Sequence, residues 1–280
     1  MTDTCKQATS SETFKVRSDV GKLAKAILEI MDVANSHGVR CWLNYGALLG
    51  MIRENRLLPW NNDAQLCCWD EQNISEKFKL ITDELNSIGY HAFYYSTLGA
   101  VSIRIKGVAV HITCYWREGK YAVRPHETPS EPGRGPFLPQ VLYWLAKFMG
   151  AYPGGLVGKN MAPLSKNEFI KRVLISVFRI GPVFCRKKLF LFLINSSKLF
   201  GGVFQKTAIP IEYLEELILY DFYGEKVYIP IKPERLLRFI YGKEWKVPKD
   251  DWSFYDEENK DETGIIFIDE SWDYATIDII

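Results

Sequence analysis

Apolar residues recur at helical spacing through Val20, Leu23, Ile27, Ile30, Met31 and Ala34, a period of about 3.6 residues that predicts one buried helical face. Ser18 or Asp19 supplies its N-terminal cap, and Gly38 its stop. Residues 39–43 then read as a short strand leading into a glycine-bearing turn at 45–50. A further turn of chain over 51–58 ends at Pro59-Trp60. Alternation predicts strands at 64–69, 90–95, 100–106, 108–116 and 120–123, with an amphipathic helix at 76–88. From 124 to 158 proline and glycine punctuate the chain, which reads as loops around an apolar helix at 141–149. Two helices follow at 166–180 and 184–199, broken at Gly181-Pro182 because proline lacks the N–H that would continue the first. The period further predicts a helix at 211–220, a strand at 227–229 and a helix at 233–241 stopped by Gly242. Helices alternating with strands predict an α/β (α+β) core with a mixed sheet and a helical insertion.

Composition narrows the picture. The chain has 280 residues, 47% hydrophobic, enough apolar material for a sizeable core and too much for a wholly disordered protein. The formal net charge of +1 conceals an uneven distribution. Between Lys166 and Lys206 there are nine Lys/Arg and one acid, Glu168. From Asp250 to Ile280 there are eleven Asp/Glu and one base, Lys260. Five segments result: a flexible lead-in over 1–16, a core over 17–150, a basic helical insertion over 151–207, the C-terminal part of the core over 208–255, and an acidic tail over 256–280. The N-terminus has no apolar signal region, and no apolar run is long enough to span a membrane. A cytoplasmic chain with peripheral membrane contact is the expectation. The six cysteines show no metal spacing, and Cys67-Cys68 sits in an apolar strand, where thiols act as small buried hydrophobes.

The most specific string runs Trp42-Leu-Asn-Tyr-Gly-Ala-Leu-Leu-Gly-Met-Ile-Arg-Glu-Asn-Arg-Leu-Leu-Pro-Trp-Asn-Asn-Asp-Ala-Gln-Leu. It resembles the LicD family, which includes the fukutin-related proteins, in the nucleotidyltransferase superfamily. Val110-His-Ile-Thr-Cys resembles that family's His-Ile-Asp strand, and Tyr241-Gly-Lys-Glu-Trp-Lys-Val-Pro its closing segment. The resemblance covers roughly residues 18–116 and 208–250. It implies a nucleotidyltransferase-type fold and transfer of a phospho-alcohol unit, of the phosphocholine or phosphoribitol class, from a CDP-activated donor to a glycan hydroxyl.

That chemistry explains the residue types. Backbone amides of a glycine-rich turn approach phosphate oxygens, and an arginine can clamp them. The resemblance gives these roles to Gly46, Ala47, Gly50 and Arg53. Mg²⁺ asks for carboxylate oxygens, and acids at i and i+2 of a strand share one face. Asp63 stands at the first metal position, as ligand and catalytic carboxylate. Its i+2 partner, however, is Gln65, the acid expected after His111-Ile112 is Thr113, and two preceding acids are Asn61 and Asn62. These four positions are degenerate. A catalytically impaired pseudoenzyme that binds nucleotide, glycan or a partner near a membrane is therefore the alternative to turnover.

Each residue also has a plainer reading. Asp63 could make only local hydrogen bonds, Arg53 could pair with Glu54, and the glycines could serve a tight turn. Trp60 is expected to pack under the site, and His111 to be a satisfied core histidine. Glu54 or Asp70 could replace a missing acid. In the basic block, apolar segments lie beside Arg172, Arg179, Arg186, Lys187 and Lys188. That pairing suits an anionic membrane surface against residues 166–206, at about 1 kcal/mol per basic residue. A solvated helical hairpin is the alternative. No nucleic-acid motif accompanies the charge.

Overall fold

The first helix, α1 (Val20–Ser36), starts where the Asp19 side chain accepts from the Lys22 amide, and it buries Leu23, Ile27, Ile30 and Ala34. The structure is a computed structural model and describes residues 19–61, 63–105, 107–125, 137–149, 151–152, 166–178, 180, 182–200, 206–249 and 264–268. The lead-in over 1–16, Asn62, Arg179 and most of the acidic tail lie outside these residues.

After α1 come β1 (Trp42–Asn44), α2 (Tyr45–Glu54), β2 (Asp63–Trp69), α3 (Ile74–Ser87), β3 (His91–Tyr95), β4 (Ala100–Ile105), β5 (Val108–Glu118) and β6 (Tyr121–Pro125). Three helices and a two-residue strand follow, α4 (Phe137–Met149), β7 (Ala151–Tyr152), α5 (Lys166–Phe178) and α6 (Val183–Leu199). The chain closes with β8 (Lys206–Pro210), β9 (Leu217–Phe222), β10 (Glu225–Pro230), α7 (Pro233–Tyr241) and β11 (Ile266–Ile268).

The strands form one mixed sheet in the order β11-β8-β6-β5-β2-β1-β10-β9, with β4, β3 and β7 branching from β5. β2 runs parallel to β5, and β1 parallel to β10; the other pairs are antiparallel. The expected mixed α/β core is present, and α4–α6 are an insertion in a literal sense. Between β6 and its neighbour β8 the chain rejoins the sheet at β7, which pairs with β3. A small core of their own joins α4 to α6 through Tyr143, Met149, Phe190 and Ile194. α5 docks on β3 where Ile175 packs with Phe93 and Tyr95, and where buried Arg172 donates to Asn86 at 2.8 Å. Arg172 therefore faces the core and not a membrane.

Four expectations differ from the structure. The glycine-bearing turn over 45–50 is helical, because α2 begins at Tyr45 and continues to Glu54. Residues 211–220 hold a single helical turn at Ile211–Tyr213 and then strand β9. Apolar positions 211, 214, 217 and 218 imitate a helix, but the hairpin with β10 prevails: Phe222 pairs with Glu225 across Tyr223-Gly224, both with positive φ, the two-residue turn suited to strand twist. Within the tail, Ile266–Ile268 pairs with β8 as an edge strand and is not solvated chain. Arg124 belongs to β6 and not to the loop that follows.

Candidate functional site

The site face is built where β1 hands over to α2. Asn44 closes the strand, and its side chain accepts from the Tyr45 amide at 2.9 Å. Tyr45 then takes φ +49°, an uncommon left-handed conformation for a bulky residue, which turns the chain abruptly into the helix. Ala47, Leu48, Leu49 and Met51 are buried and good helix formers, so the segment winds instead of looping. Gly46 and Gly50 are required by close approach. A Cβ on Gly46 would lie 2.4 Å from the Asn61 Nδ2 atom, and one on Gly50 would lie 2.6 Å from the Arg56 carbonyl. The N-terminus of this ten-residue helix, whose first N–H is capped by Asn44, lies at the expected phosphate position.

Register aligns the acidic positions of the family on one face. Asp63 is opposite Ala109, Gln65 opposite His111, and Cys67 opposite Thr113. Gln65 is also opposite Asn44, and His111 opposite Ser102. Asp63 is exposed, Gln65 and His111 are half-buried, and Thr113 is buried. Thr113 thus stands beside Cys67, four register pairs along from Asp63. Among the described residues the remaining polar groups on this face are neutral or cationic. Asn44 donates to the Cys67 Sγ atom at 3.4 Å, and burial pushes the Cys67 thiol up to about 12. A dry aromatic wall continues from it, with Trp42, Trp69 and Tyr115 ring centroids 5.7 to 6.5 Å apart. The Tyr45 and Tyr115 hydroxyls meet at 3.0 Å, and burial raises both of their pKa values.

Two arginines bracket Tyr45. Arg53 is held in the protein: its Nε and Nη2 atoms donate to Glu54 at 3.2 and 2.8 Å, and Nη1 reaches the Trp245 carbonyl at 3.4 Å. Its side chain is 8% exposed and that of Glu54 18%, so the pair is partly buried. A phosphate clamp by Arg53 would have to compete with that carboxylate. The Tyr241 hydroxyl lies within electrostatic reach of Tyr45, Arg53 and Asp63, and burial raises its pKa first, the other groups less. On the far side, Arg124 stands over the Tyr45 ring at 4.9 Å and the Tyr115 ring at 6.0 Å. Arg117 stacks over Trp69 at 4.0 Å. Sequence reasoning missed Tyr45, Tyr115, Tyr241 and Arg124. The lone cation inside the apolar run Tyr121-Ala-Val-Arg-Pro was the available signal for Arg124.

The donor set does not suit Mg²⁺. Among the described residues the face offers one carboxylate, Asp63, beside the amide Gln65, the thiol Cys67 and the hydroxyl Thr113. No described cluster of three or more His, Cys, Asp or Glu residues could hold a metal. Glu54 is engaged by Arg53 and Arg56. Asp70 follows the far end of β2, seven residues and about 23 Å from Asp63 at roughly 3.3 Å per residue. Neither can replace the missing acids. Trp60 packs half-buried against the main core, as expected. Cys67, Cys68 and Cys114 are buried, with pKa values raised by burial first, which makes them poor nucleophiles near neutral pH.

Residues 38–105 match the family model described as LicD/FKTN/FKRP, nucleotidyltransferase domain. No curated protein matches the chain. Two solved structures are similar at 11% identity. A solution structure of the antibiotic-resistance factor ANT(2'')-Ia has a TM-score of 0.30 over 64% of this chain and 93% of that one. A crystal structure of ANT(2")-Ia in complex with adenylyl-2"-tobramycin has a TM-score of 0.28 over 62% of this chain and 98% of that one. The strand order and register, not these distant likenesses, carry the fold. The matched segment spans β1, α2, β2, α3, β3 and β4, and over it the chain is similar to the LicD/FKTN/FKRP nucleotidyltransferase domain.

Proposed function

We propose that the chain handles a CDP-activated donor of the phosphocholine or phosphoribitol class, with a glycan hydroxyl as acceptor. One observation carries the ligand reading: α2 begins directly after Asn44, the register partner of Gln65, on the strand face that carries Asp63, with Gly46 and Gly50 keeping the backbone close. In a transfer step, the acceptor oxygen would attack the phosphorus attached to the alcohol and release CMP. The α2 amides would steady phosphate oxygens, and Asp63 would take or orient the acceptor proton.

A second reading has its own support. Gln65 and Thr113 leave Asp63 alone, which favours a pseudoenzyme that binds the same donor without turnover. Calorimetry with CDP-choline, followed by an assay for CMP release with a glycan acceptor, separates the two. Binding with release that is abolished in Asp63→Ala supports transfer. Binding without release supports the pseudoenzyme, and no binding of either donor class removes both.

The helical insertion supports contact with an anionic membrane. Phe184, Phe192 and Leu199 are 64%, 65% and 82% exposed, and with Lys188 they fall within about 80° of one another on α6. Ile170, Val173, Leu174 and Val177 form an exposed stripe on α5. No described helix is long and apolar enough to cross a membrane. An apolar stripe edged with lysine suits the plane of an interface. Flotation with phosphatidylserine vesicles at low salt tests this, and loss of binding in Phe184→Ser with Phe192→Ser is the expected result. No flotation of the native chain would remove the idea.

A further inference from the structure

A cavity of about 320 Å³ opens beside α7, lined by Tyr213, Arg235, Arg238, Phe239, Lys243 and Gly264. The helix buries Leu236, Leu237 and Ile240 against the core. At about 100° per residue, Arg235 and Arg238 fall on its opposite side, with Phe239 on the flank. Three separate stretches of chain build the walls: the helical turn Ile211–Tyr213, α7 with the residues after it, and Gly264 ahead of β11. Gly264 is pinned there. Its N–H donates to the Phe239 carbonyl at 2.7 Å, and a Cβ on it would collide with the Phe239 ring. The Tyr213 and Phe239 rings are half-buried, with centroids 5.3 Å apart at 44°, and they form an apolar wall.

The fold makes no use of the three cations. Arg235, Arg238 and Lys243 are exposed, and among the described residues none makes an ion pair, a side-chain hydrogen bond or a ring contact. The adjacent acid on α7, Glu234, pairs with Lys246 at 3.6 Å instead. Arg235 and Arg238 are three apart on one helix, so their charges repel. The helix dipole favours Arg238 in the last turn but opposes a cation at Arg235, in the first. Local electrostatics therefore do not explain the pair. A phosphomonoester would: it carries close to two negative charges and three acceptor oxygens, which guanidinium forks match. The aromatic wall beside it offers an apolar surface to a ring.

We propose that this cavity is an anion site separate from the face that carries Asp63, and that it takes a soluble sugar phosphate. Arg235, Arg238 and Lys243 meet the phosphate, and Phe239 and Tyr213 meet the sugar ring. The site does not depend on the donor class proposed above, because none of its lining residues belongs to α2, β2 or β5. The rival role is a solvated helix face whose charge only aids solubility.

The test is calorimetric titration of ribose 5-phosphate, ribose and inorganic phosphate into the full chain. The proteins are the native chain, Arg235→Gln with Arg238→Gln, Phe239→Leu and Lys232→Gln. Lys232 is exposed at the start of α7 but does not line the cavity, so its variant reports the effect of net charge alone. Thermal unfolding of each variant reports folding. Ribose 5-phosphate should bind the native chain, inorganic phosphate more weakly and ribose not at all. The double arginine variant should weaken binding at least about tenfold, since hydrogen bonds between charged groups are the strong ones. Phe239→Leu should bring ribose 5-phosphate down to the level of inorganic phosphate, and Lys232→Gln should change binding less than about twofold. No binding of ribose 5-phosphate to the native chain would overturn the proposal. So would native affinity in a folded double variant, or an equal loss in Lys232→Gln. Equal affinity of the native chain for phosphate and ribose 5-phosphate would overturn the assignment to a sugar. If the double variant does not fold, Arg235→Gln alone decides by the same criteria. CDP-choline binding should be the same in all four proteins, so failure of this site and failure of the donor reading are distinguishable.

Discussion

The sheet around β1, β2 and β5 and the helices α4–α6 are both rich in apolar side chains, yet they use them in opposite ways. Trp42, Leu43, Leu66, Cys67, Ile112 and Tyr115 are all fully buried. In the helical insertion Phe137, Ile180 and Leu199 are 80%, 79% and 82% exposed. The sheet spends its apolar surface on holding a polar rim in register, whereas the insertion leaves much of its own outside. Stability should therefore reside in the sheet. The insertion's exposed face should matter for contacts and little for folding.

Substitutions can break this contrast, and the largest effect belongs to the aromatic wall. Trp42→Ala should cost about 3–5 kcal/mol in denaturant unfolding, since a fully buried ring stacked between Trp69 and Tyr115 leaves a cavity that strand registers cannot close. A value near zero would mean that the wall is loosely packed. Gly50→Ala comes next, at about 1–3 kcal/mol, because the new methyl meets the Arg56 carbonyl and the Leu58 amide and not a mobile side chain.

The buried thiols and phenols give the sheet an alkaline limit. The Cys67 pKa is raised in the fold from 9.0 to about 12, so the unfolded chain ionises first as pH rises. The sign follows: this contribution is complete below about pH 8.5 and is lost as pH climbs toward the folded value. Denaturation midpoints measured between pH 8 and 11 should fall, and a flat profile would argue against a buried Cys67. Alkylation at neutral pH should sharpen the picture, with exposed Cys185 modified and Cys41, Cys67, Cys68 and Cys114 protected in the folded chain. The smallest stability effect belongs to the insertion: Phe192→Ser should change it by no more than about 0.5 kcal/mol. A large loss would show that this face packs against something in the folded chain.

Much of the sheet-side architecture was legible in the sequence for a physical reason. Period and capping agree in α1, where Asp19 caps and four apolar positions repeat, and they agree again at α7 before Gly242. Where local spacing and tertiary pairing compete, the sequence misleads. Residues 217–222 carry a helical period, but β10 supplies six register partners and wins. The Gly46 to Gly50 string was recognisable, but its glycines answer steric contacts from Asn61, Arg56 and Leu58, which come from a later turn of chain. Position 63 is visible in the string itself. Arg124 meets Tyr45 from 79 residues away by number, and no local pattern announces such a contact.

The missing acids can be restored on purpose. Mg²⁺ binding should be titrated in the native chain and in Gln65→Asp with Thr113→Asp. The new acids share a face with Asp63, so they should help it hold a cation. The account predicts little or no Mg²⁺ affinity in the native chain and a gain of at least about tenfold in the double variant. Native protein that binds Mg²⁺ as tightly as the double variant would contradict it.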